Sequence, residues 1–174
     1  MTLAHCAVER EWPALLDVVR IDLAEARPEP WQPENWTLND RVWQRIDRLD
    51  PADAARTLRG IVNPGVRMLQ TTDRTVDADA LRSNPIDASL TLVAPDTLRW
   101  RIETHPSTGN RQQKAFFSID GIGTYDLQVT DPPVETQLEG LALGFHDREA
   151  VEIGGAADVF LTISLADADC RMRV

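Results

Sequence analysis

Residues 98–104 read L-R-W-R-I-E-T. Leu98, Trp100 and Ile102 share one parity and Arg99, Arg101 and Glu103 the other. That is the period-two alternation of a strand with one buried and one solvated face. Upstream, S-L-T-L-V (89–93) is a second short strand, stopped at Ala94-Pro95. Downstream, H-P-S-T-G-N is a turn. A-F-F-S-I-D (115–120) and T-Y-D-L-Q-V-T (124–130) then flank G-I-G as a hairpin. D-V-F-L-T-I-S-L (158–165) is the last clear strand, and a short helix is expected around residues 135–141. Short strands, turn signals and no βαβ rhythm predict a mainly β chain with short helical inserts.

The first half is harder to assign. L-L-D-V-V-R-I-D-L (15–23) alternates and reads as one half-buried strand. A-R-P-E-P-W-Q-P-E-N-W follows, with prolines at 28, 30 and 33. These exclude a helix or a central strand and predict a stiff, extended crossover. In R-V-W-Q-R-I-D-R-L (41–49), Val42, Ile46 and Leu49 fall at helical spacing beside Trp43, which predicts a helix. Asp50 then caps a second one, with Pro51 in its first turn and Gly60 as its stop. N-P-G at 63–65 is a turn, and residues 70–87 read as an irregular, mobile loop.

The chain has 174 residues, a formal net charge of −10 and no membrane-length apolar run. A cytoplasmic protein is expected. Cys6 and Cys170 read as reduced thiols with no metal-ligand spacing. His5, His105 and His146 are scattered. No Walker loop, dinucleotide fingerprint, G-x-S-x-G or Ser-His-Asp set is present. No metal site, cofactor or catalytic residue is expected. An enzyme built from dispersed carboxylates is the least supported class.

Charge is distributed unevenly. Residues 99–114 hold Arg99, Arg101, Arg111 and Lys114, the chain's one lysine, against Glu103 alone. Tyr125 follows on the next strand but one. Arginines interleaved with an aromatic ring are the form of a single-strand binding platform. Residues 131–169 hold nine acids against Arg148 alone, a pattern that also fits a basic protein partner. In W-Q-P-E-N-W, the residues Gln32, Pro33, Glu34, Asn35 and Trp36, with Trp43 downstream, read as a structural clasp. Its rings bury area, and its polar side chains tie down backbone amides. Trp31 is the ring of this segment best placed to contact a ligand.

Three pieces taken in order resemble the bacterial dual-OB domain proteins. They are L-D-V-V-R-I-D-L with P-W-Q-P-E-N-W-T-L-N-D and V-W-Q-R-I-D-R-L; then Y-D-L-Q-V-T-D-P; then V-F-L-T-I-S-L. The resemblance implies two OB-like small β-barrels, or one elaborated barrel. The expected division is 1–87 for a first barrel and 88–174 for a second. It further implies a non-catalytic module for nucleic acid or a nucleotide, linked to prokaryotic defence systems. Arg99, Arg101, Arg111 and Lys114 would supply phosphate contacts, and Tyr125 or Trp31 would stack. The family's N-terminal G-W-I-R-P-like segment has no counterpart here, so the first barrel is expected to lack a strand. An open edge of that kind invites a homodimer or a protein partner, so an acidic protein-interaction subunit is the alternative.

Overall fold

A computed structural model describes residues 13–62, 71–152, 158–165 and 172–173. Cys6, Cys170, His5 and the N-P-G turn lie outside the described residues. The chain is mainly β. Seven strands make one sheet: β5 (Leu90–Val93), β6 (Thr97–Thr104), β7 (Arg111–Ile119), β8 (Gly123–Gln128), β9 (Gly144–Asp147), β10 (Leu161–Leu165) and β11 (Met172–Arg173). Their spatial order is β5-β10-β11-β8-β7-β6-β9, with β11 parallel to β8 and the other pairings antiparallel.

Strands β6, β7 and β8 form a meander, and β9 returns to lie beside β6. The order β9-β6-β7-β8 is therefore a Greek key. The return passes through α3 (Pro132–Glu139), for which Asp131 accepts the Val134 N–H as N-cap and Pro132 opens the first turn. Leu138 of α3 is fully buried in the core. The G-I-G turn between β7 and β8 has Gly121 at φ 70° and Gly123 at φ 146°, conformations that a Cβ disfavours. A Cβ on Gly123 would also meet Thr72 Cγ2 at 3.2 Å.

The inner parity of this sheet forms the core. Leu98, Trp100, Ile102, Ala115, Phe117, Tyr125 and Leu127 are buried with Val93, Leu161, Ile163 and Leu165. Trp100 donates its indole N–H to the Arg148 carbonyl at 2.9 Å, which pins the 3-10 turn Arg148–Ala150 after β9.

The first half departs from expectation in four places. Residues 15–23 form two strands, β1 (Asp17–Arg20) and β2 (Leu23–Ala26). They separate because they take different partners: β1 pairs with β4 (Gln44–Arg48) and β2 with β3 (Trp36–Leu38). The helix expected over 41–49 is therefore the strand β4. Pairing with β1 overrides the helical spacing, and Val42 and Ile46 stay exposed. The proline-rich segment is the closing loop of the β2–β3 pair. Glu29 and Gln32 exchange backbone hydrogen bonds of 3.1 and 3.0 Å around Pro30-Trp31, so it is neither extended throughout nor a crossover. Residues 78–83, expected to be loop, form α2 (Ala78–Ser83) capped by Asp77. Its Leu81 is buried in the core. The helix after Asp50 is as expected, α1 (Pro51–Ile61), except that Gly60 lies inside its last turn.

Candidate functional site

The outer parity of the Greek key carries the charged residues. Register places Asp147, Arg99, Phe116 and Asp126 in one cross-strand row and Phe145, Arg101, Lys114 and Gln128 in the next. Side chains in such rows stand within contact distance. Arg99 and Arg101 thus project from one face, as their alternation predicts.

Their partners distinguish them. Arg101 pairs with Asp126 at 2.8 Å and with Glu103. Lys114 pairs with Glu103 and lies 3.7 Å from Asp126. Two cations and two carboxylates form a network, and Lys114 is only 3% exposed. Burial alone would raise the Glu103 carboxyl. The hydrogen bond and charge of Lys114, with the charges of Arg101 and Arg74, outweigh it and hold that carboxyl below its ordinary value. Arg99 meets Asp147 at 3.5 Å, with side chains 49% and 84% exposed. Such a pair contributes little.

Beside the two arginines lies Phe145, 46% exposed. The Arg99 and Arg101 guanidinium carbons lie 5.0 and 5.8 Å from its centroid, within cation–π range. Phe116 meets it edge-on at 5.3 Å and 74°. The ring contacts three protein side chains, while Phe145 remains partly open to solvent.

The other expected ligand residues lie elsewhere. Tyr125 is 1% exposed and stacks on Phe117 at 5.2 Å in the core, so its face is not presented to a base. Arg111 shares the inner parity and donates to the carbonyls of Leu138 (3.2 Å) and Leu141, at the end of α3. Trp31 is half-buried against the core. Phe145 escaped the sequence reading because it lies in a stretch dominated by acids. The spacing of Leu141, Leu143 and Phe145 at every second residue is a faint strand signal that the acidic surroundings obscured.

The W-Q-P-E-N-W segment reaches the large sheet. The Glu34 carboxylate accepts the Ser89 N–H at 3.1 Å and the Ser89 hydroxyl. Burial would raise this carboxyl, but the Ser89 hydroxyl bond and the backbone bonds outweigh it and lower it. Gln32 donates to the Leu165 carbonyl at 3.4 Å and accepts from the Asn35 amide at 2.8 Å. Pro33 and Trp43 are half-buried, whereas Trp36 is half-exposed.

A cavity of about 310 Å³ lies among Arg59, Asp96, Leu98, Arg148 and Asp158. Its carboxylates are engaged: Asp158 pairs with Arg59, and Asp96 accepts the Asp120 N–H. Among the described residues, no three His, Cys, Asp or Glu side chains gather as metal ligands. No helix among them is long and apolar enough to cross a membrane.

The family model described as dual OB-containing domain matches residues 2–169. No curated protein and no solved structure matches the chain.

Proposed function

We propose, from the premise that this chain belongs to the dual OB-containing domain family, that it is a non-catalytic module that binds single-stranded nucleic acid on the outer face of β6, β7 and β9. One observation carries this reading: the partly open Phe145 beside the Arg99 and Arg101 guanidinium groups on a Greek-key sheet. OB barrels take oligonucleotides on a sheet face and its adjoining loops. A base stacked on an aromatic ring gains about 1–3 kcal/mol in a sequence-tolerant way. Phe145 takes the stacking part first assigned to Tyr125 or Trp31, Arg99 offers a phosphate contact, and Arg101 holds the ring. Lys114 supports the face from within the fold, whereas Arg111 ties β7 to the end of α3.

Fluorescence anisotropy with a labelled short oligothymidylate and its RNA counterpart at low salt tests the reading. Retention by the wild type and its loss in Phe145→Ala support it. No retention of either strand by the wild type refutes it. A cytoplasmic role in a prokaryotic defence system is the setting this reading implies, and the family resemblance is its support. The two-barrel division at residues 87 and 88 is part of the same proposal.

A protein-interaction role is the second reading. It is favoured by Leu23 and Trp36, both half-exposed on the β2–β3 pair, together with exposed Val42 and Ile46. Light scattering of the purified chain at increasing concentration tests it, since self-association through this surface would raise the measured mass.

A further inference from the structure

The charges carried by the outer face are paired with one another. Arg99, Arg101 and Lys114 stand against Glu103, Asp126 and Asp147. Two of the cations are committed: Lys114 is buried in its network, and Arg101 is shared by two carboxylates that are themselves less than one-third exposed. Arg99 differs. Its carboxylate partner, Asp147, lies directly opposite in register on β9, is largely solvated and stands at 3.5 Å. That distance is longer than a charge-assisted hydrogen bond of about 2.7–2.9 Å. A weak, exposed pair is readily exchanged for another anion.

We propose that Asp147 occupies the position of a ligand phosphate on Arg99, and that this face therefore selects a stacked nucleobase presented with a single phosphate rather than a long run of phosphates. This rests on the nucleic-acid reading above and specifies its ligand. Phe145 supplies the stacking surface and Arg99 the exchangeable cation beside it. When a phosphate enters, Asp147 leaves Arg99 and returns to water. Asp147 thus acts as a specificity-determining residue that discounts electrostatic affinity and leaves base stacking dominant. The net charge of −10 works in the same direction by opposing the approach of extended polyanions.

The salt dependence of binding separates this inference from its parent. Each phosphate neutralised on a single strand adds about −0.7 to the slope of log K against log salt. Affinities of wild type, Asp147→Asn, Phe145→Ala and Phe145→Trp for a labelled short oligothymidylate are measured across a salt series. The expected wild-type slope is shallower than about −0.7. Asp147→Asn should bind about fivefold tighter at low salt, the ratio set by one unit-charge contact in water, with a steeper slope. Phe145→Ala should bind roughly five- to hundredfold more weakly, and Phe145→Trp should restore binding, which excludes a folding defect as the cause. A wild-type slope of about −2 or steeper would mean that three cations take phosphates and would overturn the inference while leaving the parent reading intact. Unchanged affinity and slope in Asp147→Asn would overturn it equally. No wild-type binding at any salt removes the parent reading, and the inference with it.

Discussion

Two basic residues on one sheet face have different fates. Arg99 and Lys114 were both candidates by charge, but only the outward parity of Arg99 was legible, from the alternation of residues 98–104. Burial separates them. Lys114 is covered and neutralises Glu103 and Asp126, whereas Arg99 is half in water. Lys114→Ala should therefore cost about 3 kcal/mol of stability, because it leaves two partly buried carboxylates sharing Arg101. Arg99→Ala should change stability by less than about 0.5 kcal/mol. Urea unfolding of the two variants checks both values. Tyr125 teaches the same lesson. Its inward parity was readable in Y-D-L-Q-V, since Tyr125 and Leu127 alternate with Asp126, but a basic neighbourhood in sequence made it look like a ligand contact. Its ring is stacked on Phe117 instead.

At the level of elements, strands with a buried face were readable, while those without one were misread in extent, as at 15–23, or in type, as at 44–48. β5, β6, β7, β8 and β10 bury one parity in the core, and their alternation follows from it. β4 has no buried residue. Its apolar residues carry no imprint of a core, so Val42, Ile46 and Leu49 fitted a helix equally well. β9 is four residues long and lies in an acidic stretch. Only pairing with β6 makes it a strand. The clasp was readable in part, because prolines and polar side chains in W-Q-P-E-N-W demanded an external anchor. Its target, Ser89 and the Leu165 carbonyl, was not. Ser89→Ala should lower stability by about 1–2 kcal/mol by leaving part of Glu34's shell unmade. The carboxyls of Glu34 and Glu103 are both lower in the folded chain than their ordinary 4.5. Their stabilisation is therefore complete above that value and is lost as pH falls through the lowered folded values. Urea midpoints measured from pH 7 downward should fall below about pH 4.5, and Glu34→Gln should be less stable at pH 7 with a shallower acid decline.

Across the whole molecule, every strand of the large sheet comes from residues 90–173, yet its core is completed from before that range. Leu81 is buried in it, and Trp31, Val76 and Ile86 pack against it. A fragment of residues 71–174 should therefore melt at a higher temperature than one of residues 88–174, which lacks Leu81. Calorimetry of the two fragments measures the difference. The mainly β class, the run of strands β6, β7 and β8, the G-I-G hairpin and the paired projection of Arg99 and Arg101 were inherent in the amino-acid order. All of them follow from local periodicity and turn chemistry, which act over a few residues. The division of residues 15–23 between two partners, the strand at 44–48, the neutralisation of Lys114 and the arrival of Phe145 beside two arginines required the folded chain. Each depends on contacts between residues distant in sequence, and neither hydrophobic period nor charge count encodes which strand will lie beside which.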